Sequence, residues 1–262
     1  ASAAVFLRVL RDALLSRASS DMLLPRVPLV ALLPEAAEIF LTVRGAALHL
    51  GRRVQALRWQ APHWVLETEQ DAQTFDAVVL ATDAPGAARL VDGATQDAPP
   101  ALAAELQSWS ATAAALDMRL ITCVYARTDI PTARRLPPML ALHSGEGAPA
   151  QFIFNRSAIS GEGQGGNILA FVISASSGDR QQEEQQTLAQ AHALGIAAQP
   201  LHTICERRAT FACTPALQRP PMRVARGLLA CGDYVAGPYP ATLEGAVMNG
   251  EAAAAALQSA AS

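Results

Sequence analysis

Apolar and polar positions follow two rhythms along this chain, and each change of rhythm marks an element. Val5, Phe6, Val9, Leu10, Ala13 and Leu14 recur at helical spacing, with Arg8, Arg11 and Asp12 on the other side, which predicts an amphipathic helix. Its apolar face either packs on a core or lies on a bilayer surface, where Arg-bearing amphipathic helices bind. From Ser19 to Glu35, Pro25, Pro28 and Pro34 divide an apolar segment into pieces too short for a long helix, and Pro34 then opens a helix to about Thr42. Alternation at Leu48 and Leu50, and again from Val54 to Leu57, predicts two short strands, with Trp59 to Glu67 adding a hairpin partner. Phe75 to Thr82 is a continuous apolar run of strand length, the pattern of a parallel strand covered on both faces.

The stretch from Asp92 to Pro100 is polar, contains proline and reads as a linker, followed by a helix from Leu102 to Trp109. Ile121–Tyr125, Met139–Leu142, Gln151–Phe154, Ile168–Ile173 and Thr203–Phe211 are strand candidates, the first four at hairpin spacings that predict an antiparallel sheet. Asp179 to Leu194 is a Gln/Glu-rich helix that turns Leu188, Ala191 and Leu194 inward. The glycines of Gly161–Gly166 are spaced like a phosphate loop, but a dinucleotide fingerprint needs a strand before it and a helix after it. This one leads into the β-rich Ile168–Ile173 and reads as a flexible hairpin loop. After the proline-rich Thr214–Pro221, Leu228–Cys231 predicts a buried strand, Gly232–Asp233 a turn, and Thr242 the first turn of an alanine-rich helix. An open helix N-terminus offers unpaired N–H groups and partial positive charge, which suit an electron-rich ring oxygen or a phosphate.

Composition narrows the classes. With 262 residues, 51% hydrophobic and 16% charged, the chain has ample material for a buried core. A net charge of −3 with scattered basic residues, all of them Arg, argues against a nucleic-acid partner. Cys123, Cys205, Cys213 and Cys231 lack the short paired spacings of zinc or redox motifs, and read as buried free thiols of a reducing cytoplasm. His49, His63, His192 and His202 lie far apart, so no metal site is expected. No apolar run approaches a membrane span and Ala1–Leu10 lacks a signal-peptide layout, which points to a cytoplasmic protein, soluble or peripheral at the inner face of the membrane.

The sequence Gly232-Asp233-Tyr234-Val235-Ala236-Gly237-Pro238-Tyr239-Pro240-Ala241-Thr242-Leu243-Glu244-Gly245-Ala246-Val247 resembles the C-terminal flavin motif of the FAD-dependent amine oxidase and phytoene desaturase superfamily. Within it, the motif is most similar to the squalene-associated desaturase-like enzymes, the hydroxysqualene dehydroxylases of hopanoid-making bacteria. The resemblance implies an α/β (α+β) fold in which an incomplete FAD-binding Rossmann-like domain is interleaved with a substrate domain of antiparallel sheet plus helices. It divides the chain into residues 1–37 (helical part of the substrate domain), 38–92 (FAD-binding, middle segment), 93–213 (substrate domain) and 214–262 (FAD-binding, C-terminal segment).

The resemblance also assigns site residues. Asp233 would hydrogen-bond the ribityl or pyrophosphate region of FAD, the backbone N–H groups of Thr242 and Leu243 would face the flavin pyrimidine oxygen, Val54 would meet the adenine through its backbone, and Gly232 and Ala241 are further cofactor-binding positions. The superfamily's Gly-x-Gly-x-x-Gly unit is not in these residues. The chain therefore reads as a C-terminal part that lacks the dinucleotide-binding segment and needs it, or as a reduced homologue. The implied reaction is reductive dehydroxylation of hydroxysqualene, a hydrophobic isoprenoid, which needs an electron donor, an apolar channel and an acid. Tyr239, Asp21 and His143 are weighed for the acid, and none is assigned. A carotenoid-type desaturase, an amine oxidase and a non-catalytic binding module remain as alternatives. With 5% aromatic residues there is little material for an amine-binding cage.

Overall fold

A computed structural model describes residues 2–14, 23–161 and 166–261. In chain order the elements are α1 (Ala3–Leu14), α2 (Leu29–Leu32), α3 (Pro34–Val43), β1 (Ala56–Gln60), β2 (His63–Glu67), β3 (Ala72–Phe75), β4 (Val78–Leu80) and α4 (Ala84–Gly93). A 3-10 turn (Ala94–Asp97) leads to α5 (Pro100–Ala114), β5 (Met118–Thr128), α6 (Ile130–Arg135), β6 (Met139–Ala141), β7 (Phe152–Asn155) and α7 (Arg156–Ser160). Then come β8 (Ile168–Ile173), α8 (Arg180–Ala193), β9 (Ala198–Phe211), β10 (Arg223–Ala225), β11 (Leu228–Ala230) and α9 (Leu243–Ala261). The contacts divide the chain into two compact units, one of residues 1–19, 49–117 and 211–262, the other of residues 20–48 and 118–210.

The first unit holds two small sheets. β1, β2 and β3 form an antiparallel meander in which Trp59 pairs with Trp64 and Trp64 with Phe75. Trp64 is fully buried and its indole N–H donates to the Arg226 carbonyl at 3.0 Å. The second sheet has the order β10-β11-β4, with β11 and β4 parallel and in register from Leu228↔Val78 to Ala230↔Leu80. Val78, Leu80, Leu228, Leu229 and Ala230 are all buried, as a strand covered on both faces requires. Each large apolar side chain buried here contributes roughly 1.5–3 kcal/mol. Asp83, the residue before α4, caps that helix by accepting from the Gly86 amide at 3.1 Å.

The second unit is built on a five-stranded sheet of order β6-β7-β8-β5-β9. Its β6–β7, β7–β8 and β5–β8 pairings are antiparallel, as the hairpin spacings predict. One face carries Val124, Ala126, Ile153, Leu169, Phe171 and Ile173, which pack with Ala191 and Leu188 of α8 into the core. On this side α8 also buries Glu183, Thr187 and Gln190, polar residues that its sequence pattern does not single out. Glu183 accepts from the Ser177 amide and from the Ser176 and Ser177 hydroxyls. Gln190 donates to the carbonyls of His143 and Ala150 and accepts from the Ala150 amide. Both are satisfied in the way buried polar groups must be.

Several expectations are corrected. The strands expected between Val43 and Leu57 reduce to β1, because residues 48–54 form turns and loop, and only Ala56 onward pairs with β2. The run Phe75–Thr82 is two strands: Phe75 closes the meander, and β4 starts at Val78, whose amide donates to the Gly227 carbonyl. The linker Asp92–Pro100 contains the 3-10 turn, with Ala94 fully buried. Leu194 is the C-cap of α8 and is exposed. On α1 the expected faces are not cleanly separated: Phe6, Leu7 and Val9 are exposed, Arg8 and Asp12 are half-buried alongside Val5 and Leu10, and Arg11 is exposed. The four cysteines are free but half-buried. Of the Gly161–Gly166 loop, residues 162–165 lie outside the described residues; α7 precedes it and β8 follows, so the order is not strand, loop, helix.

Candidate functional site

The parallel register of β4 and β11 brings their carboxyl ends to one edge, and in open α/β sheets that edge is where ligands bind. The chain leaves β11 through Cys231, whose amide donates to the Leu80 carbonyl at 2.9 Å, and turns at Gly232. Gly232 has φ +154°, and a Cβ there would stand 2.8 Å from the Tyr234 ring, so only glycine fits. Asp233 follows, half-buried. Burial raises its carboxyl above the usual range, opposed by the amides of Asp233 and Tyr234 and by the charge of Arg219. Tyr234 is buried behind it, and its phenol is raised well above the ordinary tyrosine range by desolvation and then by Cys231, Asp233 and Asp83. Its hydroxyl has no hydrogen-bond partner among the described residues.

Beyond Tyr234 the loop is short of its own hydrogen bonds, because Pro238 and Pro240 have no N–H to give. The Ala241 amide closes it by donating to the Asp233 carbonyl at 3.2 Å, with Ala241 at φ +58°. Thr242 then caps α9: its hydroxyl accepts from the Gly245 amide at 3.0 Å and donates to the Tyr239 carbonyl at 2.9 Å. Gly245 lets the loop lie on the helix, since a Cβ there would come within 2.0 Å of the Tyr239 carbonyl oxygen. Two arginines outside the motif hold the loop. Arg8 of α1 donates to the Tyr239 hydroxyl at 2.9 Å, stacks over its ring and pairs with Asp12. Arg219 donates to the Val235 and Gly237 carbonyls.

Five of the six expected site residues, Gly232, Asp233, Ala241, Thr242 and Leu243, therefore share one turn-and-helix edge. Val54 lies in the same unit on the lead-in to β1, where it lines a cavity of about 190 Å³ with His49, Arg52, Leu66, Thr68, Asp71, Gln73 and Phe75. Among the residues weighed as acids, Tyr239 is engaged by Arg8, and His143 is exposed with its carbonyl accepting from Gln190. Asp21 lies outside the described residues. Among the described residues no group of His, Cys, Asp or Glu side chains is placed to hold a metal ion. Arg8 and Arg219 carry no sequence signal, since an arginine in an amphipathic helix or before a Pro-Pro pair reads as solvated charge.

The donors and acceptors at this edge suit a flavin nucleotide. The Asp233 carboxylate can accept from hydroxyls, and the first-turn amides of α9, whose Leu243 is exposed, can donate to a ring oxygen. A strand ending in an acidic turn, a parallel neighbour and a helix N-terminus with free first-turn amides form an arrangement able to receive one part of a dinucleotide.

The family model described as flavin containing amine oxidoreductase matches residues 12–258, and the chain belongs to that family, whose members carry a flavin, typically FAD. A hydroxysqualene dehydroxylase of Sinorhizobium fredii (strain NBRC 101917 / NGR234) is 45% identical over 58 residues, 21% of this chain and 14% of that protein. An oxidoreductase from Methanosarcina mazei superposes with TM-score 0.62 at 12% identity, covering 83% of this chain and 52% of that one. Putrescine oxidase bound to putrescine gives TM-score 0.59 at 15% identity, covering 86% and 52%. The chain thus spans about half the length of these solved structures. At such identities the likeness shows the fold, a mixed helix and sheet fold of FAD-dependent oxidoreductases.

Proposed function

We propose that this chain belongs to an FAD-dependent oxidoreductase that removes the hydroxyl of hydroxysqualene reductively, giving squalene for hopanoid synthesis. What carries the flavin assignment is the Gly232–Asp233 turn set between the end of β11 and the N-terminus of α9, beside the parallel β4. In this reading Asp233 accepts from the ribityl hydroxyls, the amides of Thr242 and Leu243 donate to a pyrimidine oxygen, and Val54 meets the adenine. The unit containing these residues holds the flavin, and the dinucleotide-binding segment that cradles the pyrophosphate lies outside these residues. Bound FAD, once reduced by an external two-electron donor, would supply the two electrons that, with two protons, convert the alcohol to the hydrocarbon and water.

The substrate assignment draws on the 58-residue likeness and on the second unit. The sheet face opposite α8 carries cross-strand rows of Phe154, Ala170 and Tyr125, and of Phe152, Val172 and Cys123. These side chains, with Met139 beside Phe154, make an apolar wall that suits a chain of isoprene units. The exposed Phe6, Leu7 and Val9 of α1 offer a place for peripheral contact with the inner face of the membrane, where such a substrate dissolves. Among the described residues no helix is long and apolar enough to cross a bilayer.

The test is a visible spectrum of the protein expressed from its whole reading frame, followed by anaerobic incubation with hydroxysqualene and a reductant. Flavin bands that bleach on reduction, and squalene as product, are expected. A colourless protein removes the flavin assignment and favours a non-catalytic module. A yellow protein that leaves hydroxysqualene intact but oxidises a polyene or an amine moves the assignment to a desaturase or amine oxidase.

A further inference from the structure

The loop from Asp233 to Thr242 connects every residue assigned to the flavin at this edge, yet it has little structure of its own. Its backbone–backbone bonds among the described residues are Val235 N–H to the Gly232 carbonyl at 3.3 Å and Ala241 N–H to the Asp233 carbonyl at 3.2 Å, both at the long end of the range, and the Thr242 hydroxyl fixes only its far end by donating to the Tyr239 carbonyl at 2.9 Å. What fixes its middle is a neighbouring segment. One guanidinium nitrogen of Arg219 donates to the Val235 carbonyl at 2.9 Å, and the other terminal nitrogen donates to the Gly237 carbonyl. Between those two contacts, the Ala236 amide donates to the carbonyl of Pro220 at 2.9 Å. Three consecutive loop residues are therefore bonded to two consecutive residues of the proline-rich stretch. Pro220 and Val235 are buried and Arg219 half-buried, while Ala236 and Gly237 are exposed, so the clasp is anchored in the packed structure at Val235 and Pro220 and reaches solvent at Gly237. Burial lowers the Arg219 side chain's pKa while Cys213 and Asp233 raise it, so its positive charge sits within reach of the Asp233 carboxylate.

We propose that Arg219 is a positioning residue of the flavin site: its planar fork clasps the carbonyls of Val235 and Gly237 and so sets where Asp233 and the first turn of α9 stand before flavin arrives. This rests on the assignment of flavin to the Asp233 edge. The two carbonyls are met by donors on two separate nitrogens held in one rigid fork, which a guanidinium provides and a single-nitrogen ammonium does not. Pre-forming the loop removes an ordering cost that binding would otherwise carry. Losing the clasp therefore weakens flavin affinity without removing any group that touches the flavin.

The experiment compares wild type, Arg219→Ala and Arg219→Lys, all from the whole reading frame. Hydrogen–deuterium exchange is measured on the flavin-free proteins and flavin affinity by fluorescence titration. In Arg219→Ala the amides of residues 234–242 exchange faster while those of α4 and α5 keep wild-type protection, and the flavin dissociation constant rises about tenfold or more. Arg219→Lys keeps the charge and stays close to the alanine variant in both measurements, and the visible circular dichroism of its bound flavin departs from wild type. Unchanged exchange at 234–242 in Arg219→Ala overturns the clasp. Faster exchange with an unchanged dissociation constant overturns the positioning role, and full recovery in Arg219→Lys shows that charge alone matters and overturns the fork. A wild-type protein that takes up no flavin, with the exchange difference intact, refutes the flavin assignment and leaves the clasp standing.

Discussion

Gly245 and Gly250 both lie in α9, and alanine at the two positions should act in opposite directions. Within a helix, Gly→Ala stabilises by about 0.5–1 kcal/mol, because alanine has less backbone entropy to lose. At Gly250 an added Cβ meets nothing within 4 Å, so Gly250→Ala should show that gain. At Gly245 the Cβ would lie 2.0 Å from the Tyr239 carbonyl oxygen, 3.1 Å from its carbon and 3.3 Å from the Thr242 hydroxyl. The obstacle is backbone, and the same carbonyl already accepts from Thr242, so loop and helix must separate by roughly an ångström. Overpacking of this kind costs about 1–3 kcal/mol, which outweighs the propensity gain. All three tryptophans, Trp59, Trp64 and Trp109, are in the unit that contains α9, so their fluorescence follows the melting of that unit. At about 2–4 °C per kcal/mol for a domain of this size, Gly250→Ala should raise the midpoint by a few degrees and Gly245→Ala should lower it by a similar or larger amount. A displaced Tyr239–Thr242 segment should also lose flavin. If Gly245→Ala melts at or above wild type, the close contact of loop and helix is wrong, and with it the geometry of the site.

Further outcomes are expected elsewhere. The carboxyl of Asp233 is raised by burial, so its contribution to folding is fully present below the ordinary carboxylate pKa of about 3.9 and is lost as pH rises through its folded value. Asp233→Asn should therefore melt higher than wild type at pH 7, with the gap closing near pH 3, while flavin retention falls; a lower melting point at pH 7 would contradict the assigned burial. Gln190→Ala should destabilise by about 1–3 kcal/mol, because it strips both polar groups of the buried Ala150 of their Gln190 partner, and amide exchange at Ala150 should report the opening.

The sequence alone determined the elements whose signals are local. The apolar runs around Val78–Leu80 and Leu228–Ala230 have to be covered on both faces, and pairing them in parallel satisfies that demand. The strands from β5 to β9 and the start of α9 were readable because residue type and spacing report intrinsic preference and burial within a few residues. The order of Gly232, Asp233 and Thr242 carried the turn and the cap for the same reason. What tertiary structure decided is every choice between two locally equal answers. The periodicity of α1 gives one apolar and one polar face, yet Arg8 and Asp12 are half-buried alongside Val5 and Leu10, because Tyr239, 231 residues away, offers Arg8 a hydroxyl and a ring. The run Phe75–Thr82 is apolar throughout, and its division into two strands follows from Trp64 pairing with Phe75 while Gly227 takes the Val78 amide. Leu194 stops short of the core because α8 ends at Ala193, and Arg219 gains its role only when the Val235 and Gly237 carbonyls are folded against it. A side chain's type fixes what it can bond to, but which partner comes within 3 Å is settled by chain that lies far away in sequence.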